Sequence, residues 1–216
     1  DSVALMSPVY YPFANAIRDT SRTLVDVPLV KDENGYYTMD LENFEATVQK
    51  KDVKLFILCS PHNPVGRVWR EEELRNLLDV CRRNGVYVIA DEIHHDLIMP
   101  GHRQITAAAT GDYDSILITL TSASKTFNLA SCQNAMAIIP NDALRAKYDA
   151  MTRRIKTQSG SSFGYVAYEA AFRGGKEWLE QAIRLIYGNY QILVKGLKQK
   201  LPEAVVSPLE GTYLAW

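Results

Sequence analysis

The sequence predicts an α/β domain with a mostly parallel β-sheet between two layers of helices. Three observations favour this class. Strand-like and helix-like segments alternate over most of the 216 residues, the strand-like segments are almost continuously apolar, and turn-forming residues separate them. Strands that are apolar on both faces are typical of parallel sheets covered by helices on both sides. We therefore predict a three-layer α/β/α arrangement.

Apolar runs predict six strands. Their ranges are 3–6, 23–30, 53–59, 86–90, 116–120 and 135–139. The second run is followed by a turn sequence that includes Asn34 and Gly35, and Pro140 ends the sixth.

Helix-forming segments lie between and after these strands. Asp40 is predicted to cap a helix that carries Leu41, Phe44 and Val48 on one face. The segment 70–84 has three glutamates in its first turn, an apolar stripe and a glycine after its last residue, which together predict a helix. Beyond the sixth strand, we predict a helix capped by Asn141 and two more over 163–172 and 176–200.

The long helix suggests a division into two domains. We expect residues 1–185 to form a large domain, and residues 186–216 to be the end of the long helix and the first strand, 212–216, of a smaller α+β domain. The first residues read as part of a strand with no initiator methionine, and the last five also read as a strand. We therefore expect both domains to be incomplete and the chain to be a piece of a longer protein.

Composition argues against several functional classes. A formal net charge of −1 gives no electrostatic case for nucleic acid or an anionic membrane as partner. No apolar run approaches the roughly 20 residues needed to span a bilayer, and the start lacks the pattern of a signal peptide. Cys59, Cys81 and Cys132 are spaced as neither a disulfide framework nor a zinc site. Buried, reduced thiols in a cytoplasmic protein are the expectation.

Four candidate site residues follow predicted strands at or just past their carboxyl ends: Tyr10, Asn63, Asp91 and Lys125. Ligands of parallel sheets bind beyond these ends, so we expect the four side chains to meet over one crevice. Each signal is weak alone, because an aspartate after a strand is most often a turn former and Asn-Pro-x-Gly is an ordinary turn sequence. Lys125 leaves a buried strand among small hydroxyl residues, where a lysine could form a Schiff base beside a phosphate site.

Three segments in this order resemble the fold-type I enzymes that use pyridoxal phosphate (PLP), the aminotransferase class I/II superfamily. They are Ser-Pro-His-Asn-Pro-Val-Gly at 60–66, Asp-Glu-Ile-His at 91–94 and Ser-Ala-Ser-Lys at 122–125. Within that superfamily the chain resembles the cystathionine β-lyase branch, the C–S lyases of the MalY/PatB kind. Asp-Glu-Ile-His stands where aminotransferases more often carry Asp-Glu-Val-Tyr. The resemblance covers essentially the whole chain.

The resemblance implies how PLP would be held. Lys125 corresponds to the Schiff-base lysine and Asp91 to the partner of the pyridine nitrogen. Asn63 corresponds to the donor to the phenolate oxygen of the ring, and His94 lies where many relatives have a tyrosine near the same oxygen. Tyr10 corresponds to the aromatic residue that stacks on the ring.

The phosphate side is implied in the same way. Ser122 corresponds to a phosphate-binding hydroxyl, and we expect Ser124 to assist. Gln133 stands eight residues after Lys125, where many aminotransferases have an arginine paired with the phosphate. A neutral amide cannot replace a bidentate guanidinium, and the lyase branch also often lacks this arginine. The difference favours a lyase over an aminotransferase.

The function implied is PLP-dependent β-elimination from L-cystathionine or another small cysteine-like amino acid, by a homodimer. Family members also have an upstream phosphate loop and a downstream arginine for the substrate carboxylate, and we find neither in this sequence. The chain alone is therefore expected to be catalytically crippled. Two alternatives stay open: an aminotransferase of the same superfamily, and a truncated domain that is inactive or has a regulatory role.

A metal site at residues 91–96 is the remaining alternative, because carboxylates and imidazoles suit zinc or manganese. The segment contains Asp91, Glu92, His94, His95 and Asp96. Adjacent residues that leave a strand point in different directions, and no second cluster supplies further ligands. We therefore expect no metal centre.

Overall fold

The computed structural model of the protein describes residues 1–216 and contains eight strands. Their bounds are β1 (Ser2–Leu5), β2 (Thr23–Asp26), β3 (Val30–Lys31), β4 (Tyr37–Thr38), β5 (Val53–Cys59), β6 (Tyr87–Asp91), β7 (Leu117–Thr121) and β8 (Met136–Ile138). Six of them form one sheet in the order β2-β1-β5-β6-β7-β8, and β3 pairs with β4 alone. Within the large sheet only β7 and β8 are antiparallel. The predicted α/β class with a mostly parallel sheet is confirmed.

Seven α-helices complete the chain. They are α1 (Pro12–Asp19), α2 (Leu41–Lys50), α3 (Glu71–Arg83), α4 (Ala123–Thr126), α5 (Asp142–Ile155), α6 (Ser162–Gly174) and α7 (Lys176–Lys200). Both predicted caps are confirmed, because Asp40 accepts a hydrogen bond from the Asn43 amide and Asn141 from the Leu144 amide. Two helices were not predicted from the sequence: α1, which has a proline in its first turn, and the short α4.

Helices lie on both faces of the sheet. Successive residues of a strand point to opposite faces. In β1, Ala4 belongs to the same cluster of 25 buried residues as Phe44 of α2 and Leu77 of α3, whereas Val3 and Leu5 pack with Ile17 of α1. The second cluster has three buried residues, so α1 covers its face less completely than α2 and α3 cover theirs.

Two predicted strands differ from the structure by more than one residue at an end. The prediction over 23–30 is wrong in extent, because β2 ends at Asp26 and Val30 begins β3. Pro28 lies between them and has no N–H with which to continue a ladder. The predicted strand over 212–216 is wrong: Thr212 has a left-handed φ of 71°, its amide donates to Leu97 O, and no strand pairs with the segment.

The segment 207–212 packs against the main body instead. Glu210 is buried, and its carboxylate accepts hydrogen bonds from Arg67 Nε at 2.9 Å and from the Val68 amide at 2.8 Å. The Arg67 guanidinium also binds both carboxylate oxygens of Glu73 in α3. These bonds connect the C-terminal segment to the turn after β5. The division at residue 185 stays a prediction.

No helix in the structure combines the length and apolar character that crossing a membrane requires. Cys59 and Cys81 are buried free thiols, as expected, while Cys132 is half-buried.

Candidate functional site

The register of the sheet brings three strand ends together. Cys59, the last residue of β5, pairs with Asp91, the last residue of β6, and Asp91 lies opposite Leu120 of β7. Asn63 follows the end of β5 by four residues, and Lys125 follows the end of β7 by four. The loops that carry the predicted site residues therefore leave the sheet at the same edge.

An open cavity of about 940 Å³ lies at this edge. Six of the seven predicted site residues line it: Tyr10, Asn63, Asp91, His94, Ser124 and Lys125. The structure thus brings these side chains together as the strand-end argument predicted, while their roles stay predictions. Arg18, Tyr213 and Trp216 also line the cavity. They were not predicted as site residues, because their approach to the cavity depends on how distant segments fold back.

Lys125 lies in α4, a single helical turn held at both ends. Ser122 caps its start by accepting a hydrogen bond from the Ser124 amide. Thr126 donates to Asp96 Oδ2 at 2.9 Å, and His95 Nε2 lies 3.2 Å from the same oxygen. This network fixes the turn that carries the lysine to the loop after β6.

The carboxyl group of Asp91 lies in an environment that disfavours its charged form. Burial raises its pKa, and the Ile93 amide at 3.1 Å and the charge of Lys125 oppose that effect only in part. The Ile93 amide is its only hydrogen-bond partner in the protein. A cationic ligand group placed against the carboxylate would therefore supply the charge that the fold leaves uncompensated.

His94 is buried next to the same lysine. Burial, with a smaller contribution from the charge of Lys125, lowers the pKa of His94 to about 4, so its ring is neutral at pH 7. Its Nδ1 is buried and has no hydrogen-bond partner, and its ring centroid lies 5.3 Å from that of Tyr213. Such an unpaired nitrogen is costly unless a ligand satisfies it.

Tyr10 and Asn63 present groups that the protein leaves free. The Tyr10 ring is 42% exposed and packs edge-on against Phe13 at a centroid distance of 5.5 Å. The amide side chain of Asn63 makes no hydrogen bond within the protein, while its backbone N–H lies 3.4 Å from Cys59 Sγ. A face of an aromatic ring and an amide group are therefore available to a ligand.

Ser122 does not line the cavity. Its hydroxyl donates to Asn134 O at 2.7 Å, and Tyr168 donates to the same carbonyl. Ser124, which lies between Ser122 and Tyr168, is the hydroxyl of this cluster that reaches the cavity. A phosphate contact by Ser122 stays a prediction. Tyr168 was missed because one tyrosine on a predicted helix carries no signal of its contacts.

The residues present fit PLP. The cofactor has a planar ring, a pyridine nitrogen that can be protonated, a phenolate oxygen, an aldehyde and a phosphate. Lys125, an under-compensated Asp91 and an unpaired His94 nitrogen suit these groups, and Tyr10 offers a ring face. No group of three or more His, Cys, Asp or Glu side chains is arranged to hold a metal ion.

Comparison with known proteins finds relatives among PLP-dependent enzymes. The profile of the family "Aminotransferase class I and II" matches residues 1–216. Cystathionine beta-lyase PatB of Bacillus subtilis is 36% identical over all of this chain and 56% of its own length.

Two solved structures also match the whole chain. A PLP-bound putative aminotransferase from Clostridium difficile 630 superposes with a TM-score of 0.95 at 39% identity, over 56% of its own length. Cystalysin from Treponema denticola, whose structure contains PLP, superposes with a TM-score of 0.94 at 35% identity, over 55% of its length.

The chain spans about half the length of the curated relatives it matches. Over that span the match is complete, and it includes the strand ends, the cavity and the segment that carries Lys125. The chain belongs to the aminotransferase class I/II family of fold-type I PLP enzymes, in the MalY/PatB C–S lyase branch.

Proposed function

We propose that this protein is a PLP-dependent C–S β-lyase that converts L-cystathionine, or a cysteine-like amino acid, and water to a thiol, pyruvate and ammonia. The observation that carries the proposal is the convergence of Lys125, Asp91 and His94 on one cavity. The relatives that are named as lyases support it, because they align with the whole of this chain at about 35% identity.

Each cavity residue has a place in this proposal. Lys125 would hold PLP covalently, Asp91 would pair with the protonated pyridine nitrogen, and Asn63 and His94 would hydrogen-bond to the phenolate oxygen. Tyr10 would stack on the ring. PLP supplies an electron sink for the pair of electrons left when Cα of the substrate loses its proton.

On the phosphate side, Ser124 would donate to the phosphate from the cavity wall, and Ser122 would support Ser124 from behind. Both hydroxyls belong to the cluster around Asn134 O. The two serines flank the start of α4, so they would hold the phosphate close to the turn that carries the lysine.

Lys125 also moves the proton. Its amine, at Nζ, would take the proton from Cα of the substrate. The bond between Cβ and sulfur then breaks and the thiolate leaves with the electron pair. Water completes the reaction to pyruvate and ammonia. His94 stays neutral because of its low pKa, so it adds no second positive charge beside Lys125.

Amino transfer is the second candidate. The C. difficile relative is described as a putative aminotransferase, and both reactions begin with loss of the same proton. They separate afterwards: in the lyase reaction the substrate loses a thiol from Cβ, whereas in amino transfer Cβ keeps its substituent and the amino group passes to a keto acid.

A product assay separates the two candidates. The natural protein is incubated with L-cystathionine and, separately, with an aromatic amino acid and a keto acid. We expect pyruvate and a free thiol in equal amounts from the first reaction. Amino transfer in the second reaction, with no thiol from the first, would assign the protein to the aminotransferases.

We also propose that the working protein is a homodimer and that residues 1–216 alone are catalytically crippled. Large apolar side chains on α6 and α7, including Phe163 and Ile192, are exposed and could lie against other segments or a second copy. Sedimentation of the natural protein tests the dimer.

The 216-residue chain by itself tests the proposed loss of activity, since full lyase activity from it would contradict that proposal. A chain that binds PLP but turns nothing over would support a truncated or regulatory domain.

A further inference from the structure

His62 does not line the cavity and has no role in the chemistry above. It precedes Asn63 in the turn after β5, and only 3% of its surface is exposed. Its Nε2 lies 3.0 Å from the carbonyl oxygen of Pro8, a residue 54 positions earlier in the chain. This contact joins two loops that leave different strands.

The contact fixes the tautomer of the ring. A carbonyl oxygen can only accept a hydrogen bond, so Nε2 of His62 carries the proton and donates it to Pro8 O. Nδ1 is then unprotonated, and it is buried without a partner. Burial lowers the pKa of His62 to about 4, so the ring is neutral at pH 7.

Main-chain hydrogen bonds of His62 and a packing contact of its ring fix the direction in which the ring points. The His62 amide donates to Arg67 O at 2.8 Å and its carbonyl accepts from the Gly66 amide at 2.9 Å, which closes the turn. The ring packs edge-on against Trp69 at a centroid distance of 5.4 Å, and the Trp69 indole N–H donates to Cys59 O. The imidazole is therefore held by β5 and its turn and presented to Pro8.

The two loops joined by this bond carry two of the proposed PLP contacts. Asn63 directly follows His62, and Tyr10 follows Pro8 by two residues. On its other side, the Tyr10 loop is bonded to β2 through Ser7, whose amide and hydroxyl donate to Asp26 at 3.1 and 2.7 Å. The bond from His62 ties the same loop to the turn after β5.

We propose that His62 is a positioning residue: its Nε2–H bond to Pro8 O sets the distance between the Tyr10 ring and the Asn63 amide and thereby the affinity for PLP. The part about PLP rests on the proposed function, whereas the bond itself does not. Loss of the donor removes this hydrogen bond from the Pro8 carbonyl and lets the Tyr10 loop move away from the turn.

A matched pair of variants isolates the donor. The glutamine of His62→Gln places an amide N–H near the position of Nε2, and the methionine of His62→Met has the same length without a donor. For the natural protein and for each variant, we measure two quantities. One is the hydrogen exchange of residues 7–13 without cofactor, and the other is the dissociation constant for PLP. His62→Met should exchange faster and bind PLP about tenfold or more weakly, whereas His62→Gln should remain within about threefold of the original protein.

A core variant separates positioning from general stability. Phe44→Leu changes a fully buried residue that does not line the cavity, so it should lower the melting temperature without changing exchange at residues 7–13 or PLP affinity. Equal effects of His62→Gln and His62→Met would overturn the donor role, as would unchanged loop exchange in His62→Met.

Nitrogen chemical shifts of the unmodified protein provide a test without mutation. We expect the Nε2–H tautomer for His62, and the Nδ1–H tautomer would overturn the proposal. If the original protein fails to bind PLP, the proposed function fails. The tautomer and the loop exchange still decide whether His62 joins the two loops.

Discussion

The helix α3 and the helix α7 have similar sequence patterns but different surroundings. Both carry apolar residues at helical spacing. In α3, Leu74, Leu77 and Leu78 are fully buried against the sheet, whereas no residue of the 25-residue α7 is buried and Ile192 is 71% exposed. Periodicity therefore identifies the apolar face of a helix, but burial requires a partner that the same chain must supply.

The difference divides the molecule into two regions. In the first, residues 1–139, the sheet and its helices hold nearly all of the buried core and place the cavity at one edge. In the second, α5 to α7, Gly164 and Tyr168 are the only buried helical residues. Chemistry and stability should therefore depend mainly on the first region.

The largest effect is expected at Lys125. Lys125→Ala should abolish the PLP adduct that borohydride traps, together with any lyase activity, because no other amine occupies its place in the cavity. Lys147→Ala, an exposed lysine of α5, is the control and should change neither. Peptide mass mapping checks the adduct. An adduct on a different lysine would refute the assignment.

Asp91→Asn should lower the turnover number by orders of magnitude while the fold is retained. An amide cannot keep the pyridine nitrogen protonated, and the charge-assisted hydrogen bond of the carboxylate, worth about 1.5–3 kcal/mol, is lost. Far-ultraviolet circular dichroism checks the fold, and Asp114→Asn at an exposed position is the control. Near-normal turnover of Asp91→Asn would exclude the proposed role.

Core truncation measures the contrast between the two helices directly. Leu77→Ala in α3 should lower the free energy of unfolding by about 2–5 kcal/mol, because it leaves a cavity in a packed core. Ile192→Ala in α7 should change it by no more than about 0.5 kcal/mol. Urea denaturation compares the two. Similar losses would mean that α7 is buried in solution.

The smallest expected effect is a pH dependence of stability from the buried histidines. The pKa of His62 and of His94 is lowered to about 4 in the fold, so between pH 6.5 and 4 the unfolded chain binds more protons. Stability is therefore lost as the pH falls, by about 1 kcal/mol per histidine between pH 7 and 5.5.

Substitution isolates this contribution from the rest of the protein. Burial raises the pKa of Asp91 and of Glu92, so these two groups increase the free energy of unfolding as the pH falls, whereas the histidines decrease it. Urea unfolding at several pH values should show a shallower acid loss in His62→Gln than in the original protein. Identical slopes would contradict the low pKa of His62.

The sequence by itself determined the α/β class, five of the helices and the edge of the sheet at which the site lies. Local patterns sufficed because apolar runs, caps and turn residues act over a few positions, and parallel strands present their carboxyl ends together. The family resemblance added the proposed roles of Lys125 and Asp91. Pro28 was a local signal as well, but the prediction ran the strand through it.

Only the tertiary structure decided the contacts between distant segments. It placed Ser122 behind the cavity wall, joined His62 to Pro8, and turned residues 212–216 away from a strand because no neighbouring strand pairs with them. It also left the apolar faces of α6 and α7 uncovered. A hydrogen bond or a buried face needs both partners in place, and a local sequence pattern describes only one of them.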